Sequence, residues 1–425
     1  GVGMTFQLIH GAFMLLGLTL LLPLLVRWCA RAIRPAMDWA GGSEGALAVD
    51  AMIQSPRRSA ATVGALMVGL MFVFSTGAYI QSYKQIIGRW TTQMLNADLV
   101  IATSTLLRST SYHFSEDLGK RISAMPEVKR VNNVRFTIVP YRDDTAAIAA
   151  EEMDVFLGRS SGAILSGANK SFRDLLPRGE GVLTSKNFAT RWGYKVGDRV
   201  HLETPAGPLD RPIVGMVEDY RSDKGTIFMD RSLYKRFWKD DAVDFVDVTL
   251  KPGQDPIAVK HELERMTAGQ QHALVYTNVE FRGWIESLVD KFFMLNYMQL
   301  VVAIIVAVVG IANTLIISVA ERRREFGIVR AIGGYRRQIR KMVLLEAFSI
   351  SIVGVIAGAF AALCNIEFMS RTVSTALAGY DVPFLFPWLL ILEAFPAVVA
   401  VSLLAGWTPA RHAMQVPVVE AIGYE

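Results

Sequence analysis

Residues 321–341 read ERRREFGIVRAIGGYRRQIRK, and on either side of them the chain turns apolar and uncharged. Residues 292–320 and 347–366 contain no Asp, Glu, Lys or Arg. The same holds for 1–26 and 59–83, while 382–410 is interrupted only by Glu393. A bilayer core needs about 20 apolar residues per helix, so the pattern predicts five spans, at 6–26, 60–83, 293–320, 343–366 and 385–406. Composition agrees. The 425 residues are 52% hydrophobic with a mean hydropathy of +0.32, too apolar for an ordinary soluble protein, yet 20% are charged. That mixture predicts spanning helices joined to a sizeable water-exposed domain.

The water-exposed part is 84–290. It holds 28 basic and 28 acidic residues, so the net charge of +5 belongs to the membrane part, where 16 basic residues face 11 acidic ones. Those basic residues cluster. Arg27, Arg31, Arg34, Arg57 and Arg58 lie between the first two spans, and Arg322, Arg323, Arg324, Arg330, Arg336, Arg337, Arg340 and Lys341 lie between the third and fourth. Positive loops mark the cytoplasmic side. The assignment places 1–5, 84–290 and 367–384 outside and the C-terminal tail inside, with every alternation consistent. Cys29 and Cys364 both fall in the membrane part, so no disulfide forms within 84–290. The chain begins with Gly and enters a span without a basic leader, which reads as a truncated or processed start.

Within 84–290, strand-like and helix-like segments alternate. Residues 98–101 and 131–141 read as strands around a helix at 114–125, with Ser115 as N-cap and Pro126 as stop. Residues 245–250 read as a strand, 251–253 as a turn and 255–266 as a helix. The middle, about 174–240, reads as a β-rich insertion in an α+β domain. Chemistry is sparse there. His113, His201, His261 and His272 lack metal-ligand spacing. The neighbouring pairs Asp143–Asp144, Glu151–Glu152 and Asp240–Asp241 read as solvated loop charges. The triplet Asn169-Lys170-Ser171 matches a glycosylation sequon, a pattern that also arises by chance. A phosphate-binding loop needs Gly-Lys followed by Ser or Thr. The chain's Gly119-Lys120 is followed by Arg121, so the sequence predicts no catalytic site, no metal and no cofactor of its own.

Wound as a helix, the first part of 321–341 brings Phe326, Val329, Ile332 and Gly333 to one side, with Arg324 and Arg330 flanking. One reading is a lipid-surface anchor. The other is a docking helix whose apolar ridge enters a partner's cleft, with Glu325 and Arg330 at its rim. Polar groups in the spans read as structural. Glu346 is expected near the interface beside Arg340 or Lys341, Asn313 is expected to bond a neighbouring helix, and Gly354 and Gly358 form a close-packing pair.

Asn313-Thr314-Leu315, the run ERRREFGIVRAIGGYRRQI and Glu346 together resemble the signature of the FtsX-like, or MacB-type, ABC transporter permease family. The tail Pro409-Ala410-Arg411 with Pro417–Val418–Val419–Glu420–Ala421–Ile422, the segment AVDAMIQSPRRSA at 48–60 and the stretch VLTSKNFATRWGYKVGDRV at 182–200 are similar to further parts of that family. Asp50 and Gln54 stand where the family often has Asn and Arg. The resemblance covers about 44–425. It implies a polytopic α-helical membrane protein with a large extracytoplasmic α+β domain, in the bacterial inner membrane. Its parts would be an extra helix and basic linker at 1–58, a span at 59–83, the outer domain at 84–290 and a three-helix domain at 291–425. The extra helix looks like the end of a preceding unit. By resemblance, Glu325, Phe326, Gly327, Val329, Arg330, Ile332 and Gly333 would couple the chain to a separate cytoplasmic ABC ATPase that binds ATP and Mg. A second permease subunit or preceding tandem unit, membrane lipids and a periplasmic adaptor or lipoprotein are the other partners it suggests; nucleic acid is not among them. The implied function is export or extraction of a lipid, lipoprotein, peptide or drug. Regulation of a cell-wall hydrolase, or a membrane sensor without an ATPase, are the alternatives.

Overall fold

The computed structural model describes residues 2–94, 96–103, 112–159, 164–166, 172–268, 273–370 and 385–414. The sequon at 169–171, His272 and the tail motif beyond 414 lie outside them. Three helices open the chain: α1 (Val2–Gly41), α2 (Ser43–Gln54) and α3 (Pro56–Met94). Then come β1 (Leu99–Ala102), α4 (Glu116–Ser123), β2 (Val128–Tyr141), β3 (Asp144–Glu151), α5 (Met153–Arg159) and β4 (Ile164–Ser166). They are followed by α6 (Phe172–Leu175), β5 (Val182–Ser185), α7 (Lys186–Trp192), β6 (Arg199–Leu202) and β7 (Leu209–Val217). The sheet-bearing part ends with β8 (Thr226–Asp230), α8 (Arg231–Trp238), β9 (Phe245–Leu250), α9 (Pro256–Thr267) and β10 (Leu274–Thr277). Four helices close the chain: α10 (Asn278–Glu321), α11 (Arg323–Ala331), α12 (Arg336–Phe368) and α13 (Trp388–Met414). Two compact units result, one gathering Gly1–Ser82 with the helices after Phe292, the other Tyr83–Lys291.

The first unit is helical. Among the described residues, Gly11–Gly41, Ser59–Met94, Arg336–Phe368 and Trp388–Met414 are long and apolar enough to cross a bilayer. The fifth predicted span, 293–320, lies wholly within α10. Leu20, Val302, Ile316, Leu392 and Leu404 point outward, as hydrocarbon requires of lipid-facing positions. Residues 27–41, expected in a linker, instead continue α1, and a corner at Gly42 turns the chain into α2. That crossing is close. A Cβ on Gly45 would stand 2.1 Å from the Met37 carbonyl oxygen, so only glycine fits there. Asp50, one of the departures from the family pattern, is paired within the chain, with Arg34 Nε 2.8 Å from its carboxylate. Gly354 and Gly358 let α12 close on α3. Added Cβ atoms would stand 2.1 Å from Leu66 and 2.7 Å from Leu70, so this contact is made inside one chain.

Glu346 is buried in α12, 2% exposed, where a lone carboxylate is costly. Its partners are on α10 and at the start of α11, rather than the Arg340 or Lys341 of its own helix. Ser318 Oγ donates at 2.8 Å and Arg322 Nη1 at 3.4 Å. Arg340 and Lys341 lie one to two turns toward the helix start, and Ile339, Met342 and Val343 occupy the buried side there.

The second unit is a ten-stranded sheet in the order β10-β1-β9-β2-β3-β8-β5-β7-β4, with β6 paired to β7. Val128–Val134 of β2 pairs with β9, and Arg135–Tyr141 of the same strand pairs with β3. One strand thus serves two hydrophobic cores. Leu99, Leu118, Ile122, Val248 and Leu263 belong to the first, and Ile148, Phe188, Leu209, Ile227 and Tyr234 to the second. The second core starts upstream of residue 174 and includes α7 and α8, because β3 pairs with β8 and contributes Ile148 to it.

Where β2 changes partner, the interior is polar. The fully buried Asn132 donates to Glu151 at 3.1 Å and to Asp247 at 3.3 Å. Arg221 reaches Asp219 at 2.9 Å and Glu151 at 3.6 Å. Arg135 lies between Asp240 at 2.8 Å and Asp244 at 3.0 Å, and His113 Nδ1 stands 2.7 Å from Asp244. The expectation of solvated acidic pairs therefore fails for Glu151, Glu152 and Asp240. They sit at strand ends and turns whose open backbone donors and buried guanidinium groups need acceptors, as where Ala242 N–H donates to Asp240.

Two outcomes follow from these networks. Glu346→Ala leaves the Arg322 guanidinium without its buried carboxylate, at a cost of about 3 kcal/mol, read as a lower thermal midpoint in detergent; an unchanged midpoint refutes the pairing. Glu152 is the second case. Burial raises its carboxyl to about 7, against the hydrogen bonds from Asn133 that favour the anion. A carboxyl whose folded pKa is raised binds its proton more tightly folded than unfolded, so stability is present at low pH and lost as pH rises through 4.5 to 7. Residues 84–290 should therefore melt at higher temperature at pH 6 than at pH 8, and Glu152→Gln should flatten that difference. An equal pH dependence in the variant overturns the assignment.

Candidate coupling segment

The segment 321–341 folds as a short helix between two long ones. Arg322 fixes its start. Besides Glu346, the guanidinium bonds Glu325 at 2.7 Å and lies 5.3 Å from the centre of the Phe326 ring. One side chain thereby ties the end of α10, the first turn of α11 and the interior of α12 together. Its own side chain is 13% exposed, so these bonds are partly shielded from water and salt. The end of α11 is set by backbone. Gly334 N–H donates to the Val329 carbonyl at 2.8 Å, Gly333 takes a φ of 98°, and Tyr335 N–H donates to Gln338 at the head of α12.

Placed in this frame, the expected ridge divides. Phe326 is 1% exposed and belongs to the helical core, with Gly327 buried beside it. Val329 and Arg330 are half-buried. Ile332 is on the surface at 81% exposure, next to Gly333. Phe326 therefore does not sit with Ile332 on an open face. The physical reason is that the large aromatic ring joins the helical core, with Arg322 stacked on it. Glu325 stays exposed, but its charge is already met by Arg322, so it does not by itself require a partner protein. The exposed apolar residues of the segment are Ile328, Ile332 and, past the Gly333–Gly334 turn at the head of α12, Tyr335. The sequence reading left Ile328 and Tyr335 off the ridge, although Ile328 and Ile332 are four residues apart and share a helix face. Asn313 is exposed on α10 rather than bonded to a neighbouring helix. The polar contact between α10 and α3 is made one residue later, by Thr314 with Thr62.

Among the described residues, no group of His, Cys, Asp or Glu has a metal-holding arrangement. The segment offers shape and charge instead of reactive groups: an apolar surface rigidly held from behind and edged by exposed Arg323 and Arg324.

Comparison with known proteins gives these features a family. Residues 297–418 match the model of the FtsX-like permease C-terminal domain, and residues 59–266 match that of the MacB-like periplasmic core domain. The uncharacterized ABC transporter permease protein Rv0987 of Mycobacterium tuberculosis is 25% identical over 93% of this chain and 47% of its own length. The macrolide export ATP-binding/permease protein MacB of Photorhabdus laumondii is 33% identical over 30% of this chain and 19% of its own. The MacB of Shigella sonnei is 23% identical over 71% of this chain and 47% of its own. The chain spans about half the length, or less, of these curated relatives. With both domains present, four candidate spans described and a large outer α/β domain, it is a multi-pass inner-membrane protein that belongs to the FtsX-like, MacB-type family of ABC transporter permeases.

Proposed function

We propose that this chain is a non-catalytic permease part that receives work from a cytoplasmic ATPase through α11 and uses it to move its extracytoplasmic domain. The observation that carries the reading is the surface of Ile328, Ile332 and Tyr335, held rigid by the Arg322–Glu346 pair and the buried Phe326. Apolar side chains on a short helix between two spans have little reason to face water. A docking cleft covers them, and the basic edge then meets acidic groups at its rim. The relatives named as ATP-binding/permease proteins support an ATPase partner, and their macrolide export supports an amphiphilic cargo such as a lipid, lipoprotein, peptide or drug.

The test uses Ile328→Asp with Ile332→Asp, both on the exposed side, so insertion and folding are retained. Interface anchors commonly cost more than about 1–2 kcal/mol when disrupted, which corresponds to at least a fivefold loss of ATPase retained in pull-down. Permease-stimulated ATP hydrolysis should fall in parallel. A double variant that retains and stimulates the ATPase fully shows that α11 is a lipid anchor and removes the coupling role. Phe326→Asp is unsuitable here, because it breaks the helical core and lowers retention for any reason.

A further inference from the structure

The sequence marked Arg337, Arg340 and Lys341 as part of a positive loop, the latter two also as expected partners of Glu346. In the structure they rim a cleft of about 390 Å³ between α12 and α13, whose apolar wall is Leu344, Leu345, Phe348 and Leu403. Arg340 and Arg411 both approach Trp407, each guanidinium 5.7 Å from its ring centre. Lys341 is partly matched, by the Gly41 carbonyl at 2.6 Å and Glu44 at 3.4 Å. Arg337, Arg340 and Arg411 have no carboxylate within ion-pair distance among the described residues, unlike Arg34 and Arg322. The cleft therefore carries a surplus of positive charge directly above hydrocarbon-like lining. From Lys341 to Phe348 the wall descends α12 by roughly 10 Å, at about 1.5 Å per residue.

The geometry points to a binding site for one anionic glycerophospholipid of the cytoplasmic leaflet. Its phosphodiester would sit between Arg337 and Arg340, and an acyl chain would lie along Leu344, Phe348 and Leu403. Three alternatives fit worse. A free phosphate would leave the apolar wall wet. An acidic peptide would carry unsatisfied backbone groups to the depth of Phe348. A helix of a second copy would bury two guanidinium groups without counter-charge. The site rests on the membrane placement of α12 and α13 and is independent of the coupling role of α11.

The experiment is native mass spectrometry of the full chain released from nanodiscs of phosphatidylglycerol and phosphatidylcholine in equal parts. One retained phosphatidylglycerol per chain is expected. Arg337→Gln with Arg340→Gln should lower that adduct at least fivefold, and Leu344→Trp, which fills the cleft and leaves the charges, should also lower it. Arg27→Gln with Arg31→Gln, which removes exposed cations on α1, should not. Equal retention of phosphatidylcholine overturns the site, as does an equal loss in the α1 variant or no loss in Leu344→Trp. Displacement of the adduct by millimolar inorganic phosphate would show a soluble-anion site, and mutual displacement by chain dimers would show a helix-docking face. Either result also overturns it.

Discussion

A carboxylate inside a membrane helix must be neutralised by something the fold brings to it, and in this chain that condition organises the cytoplasmic end of the helical unit. Glu346 lies on α12, Ser318 on α10 and Arg322 where α10 gives way to α11. The hydrogen bonds that Glu346 accepts from Ser318 and Arg322 form only when the helices close to within hydrogen-bond distance. Because hydrocarbon gives no hydrophobic drive to helix association, such polar contacts and small-residue approaches decide which helices meet. Gly354 and Gly358 do the same for α12 and α3, where Leu66 and Leu70 occupy the space that side chains would take. The pair thus sets the height and rotation of α11. A surface residue such as Ile332 has a fixed position only because Arg322, ten residues earlier, is held from two sides.

The outer domain meets a comparable constraint with different means. A 14-residue strand, β2, is shared by two cores, so its middle lies between them and beside no single apolar layer. The sequence fills that middle with Asn132, Asn133 and Arg135, and their partners come from β3, β9 and the turn before β9. A network of this kind specifies one register, since a shift of one residue would turn Asn132 out and remove its hydrogen bonds to Glu151 and Asp247. Arg135 shows the consequence for charge. Its burial alone would weaken the cation, but Asp244 and Asp240 outweigh that and hold it firmly protonated.

Much of this was legible in the residues. The uncharged runs, the two basic loops and the neutral stretch 84–290 follow from bilayer thickness and charge asymmetry, which act on composition and need no tertiary detail. Ser115 as a cap of α4, the strand Phe245–Leu250 and the helix after Asp255 were local, and local propensity decided them. The close packing at Gly354 and Gly358 was legible too, but what escaped was which face of α11 turns inward and which helix meets Glu346. On α11 two apolar stripes compete, Phe326 with Val329 and Ile328 with Ile332, and periodicity gives both equal standing. Only packing in the helical core and the stacking of Arg322 select Phe326 for the interior. Glu346 was misassigned for the same reason. Sequence distance favoured Arg340 and Lys341, while the partner with the right direction came from another helix.

The two faces of α11 fit the lever role proposed for it. Its inner face is built from groups whose loss damages the bundle, and its outer face from groups the bundle does not need. Under the proposed coupling role, a force applied at Ile328 or Ile332 would pass along the backbone of α11 to Phe326 and Arg322, and from Arg322 to Glu346 on α12. Flexible attachment would let such a force dissipate in rotation of the segment. The tight exit at Gly333 and Gly334 prevents this at the other end, since the Gly334 amide is bonded to Val329 and α12 begins directly after Tyr335. A helix of nine residues clamped at both ends moves as a body. That rigidity is what the proposed coupling role asks of it, and a lipid anchor would not need it.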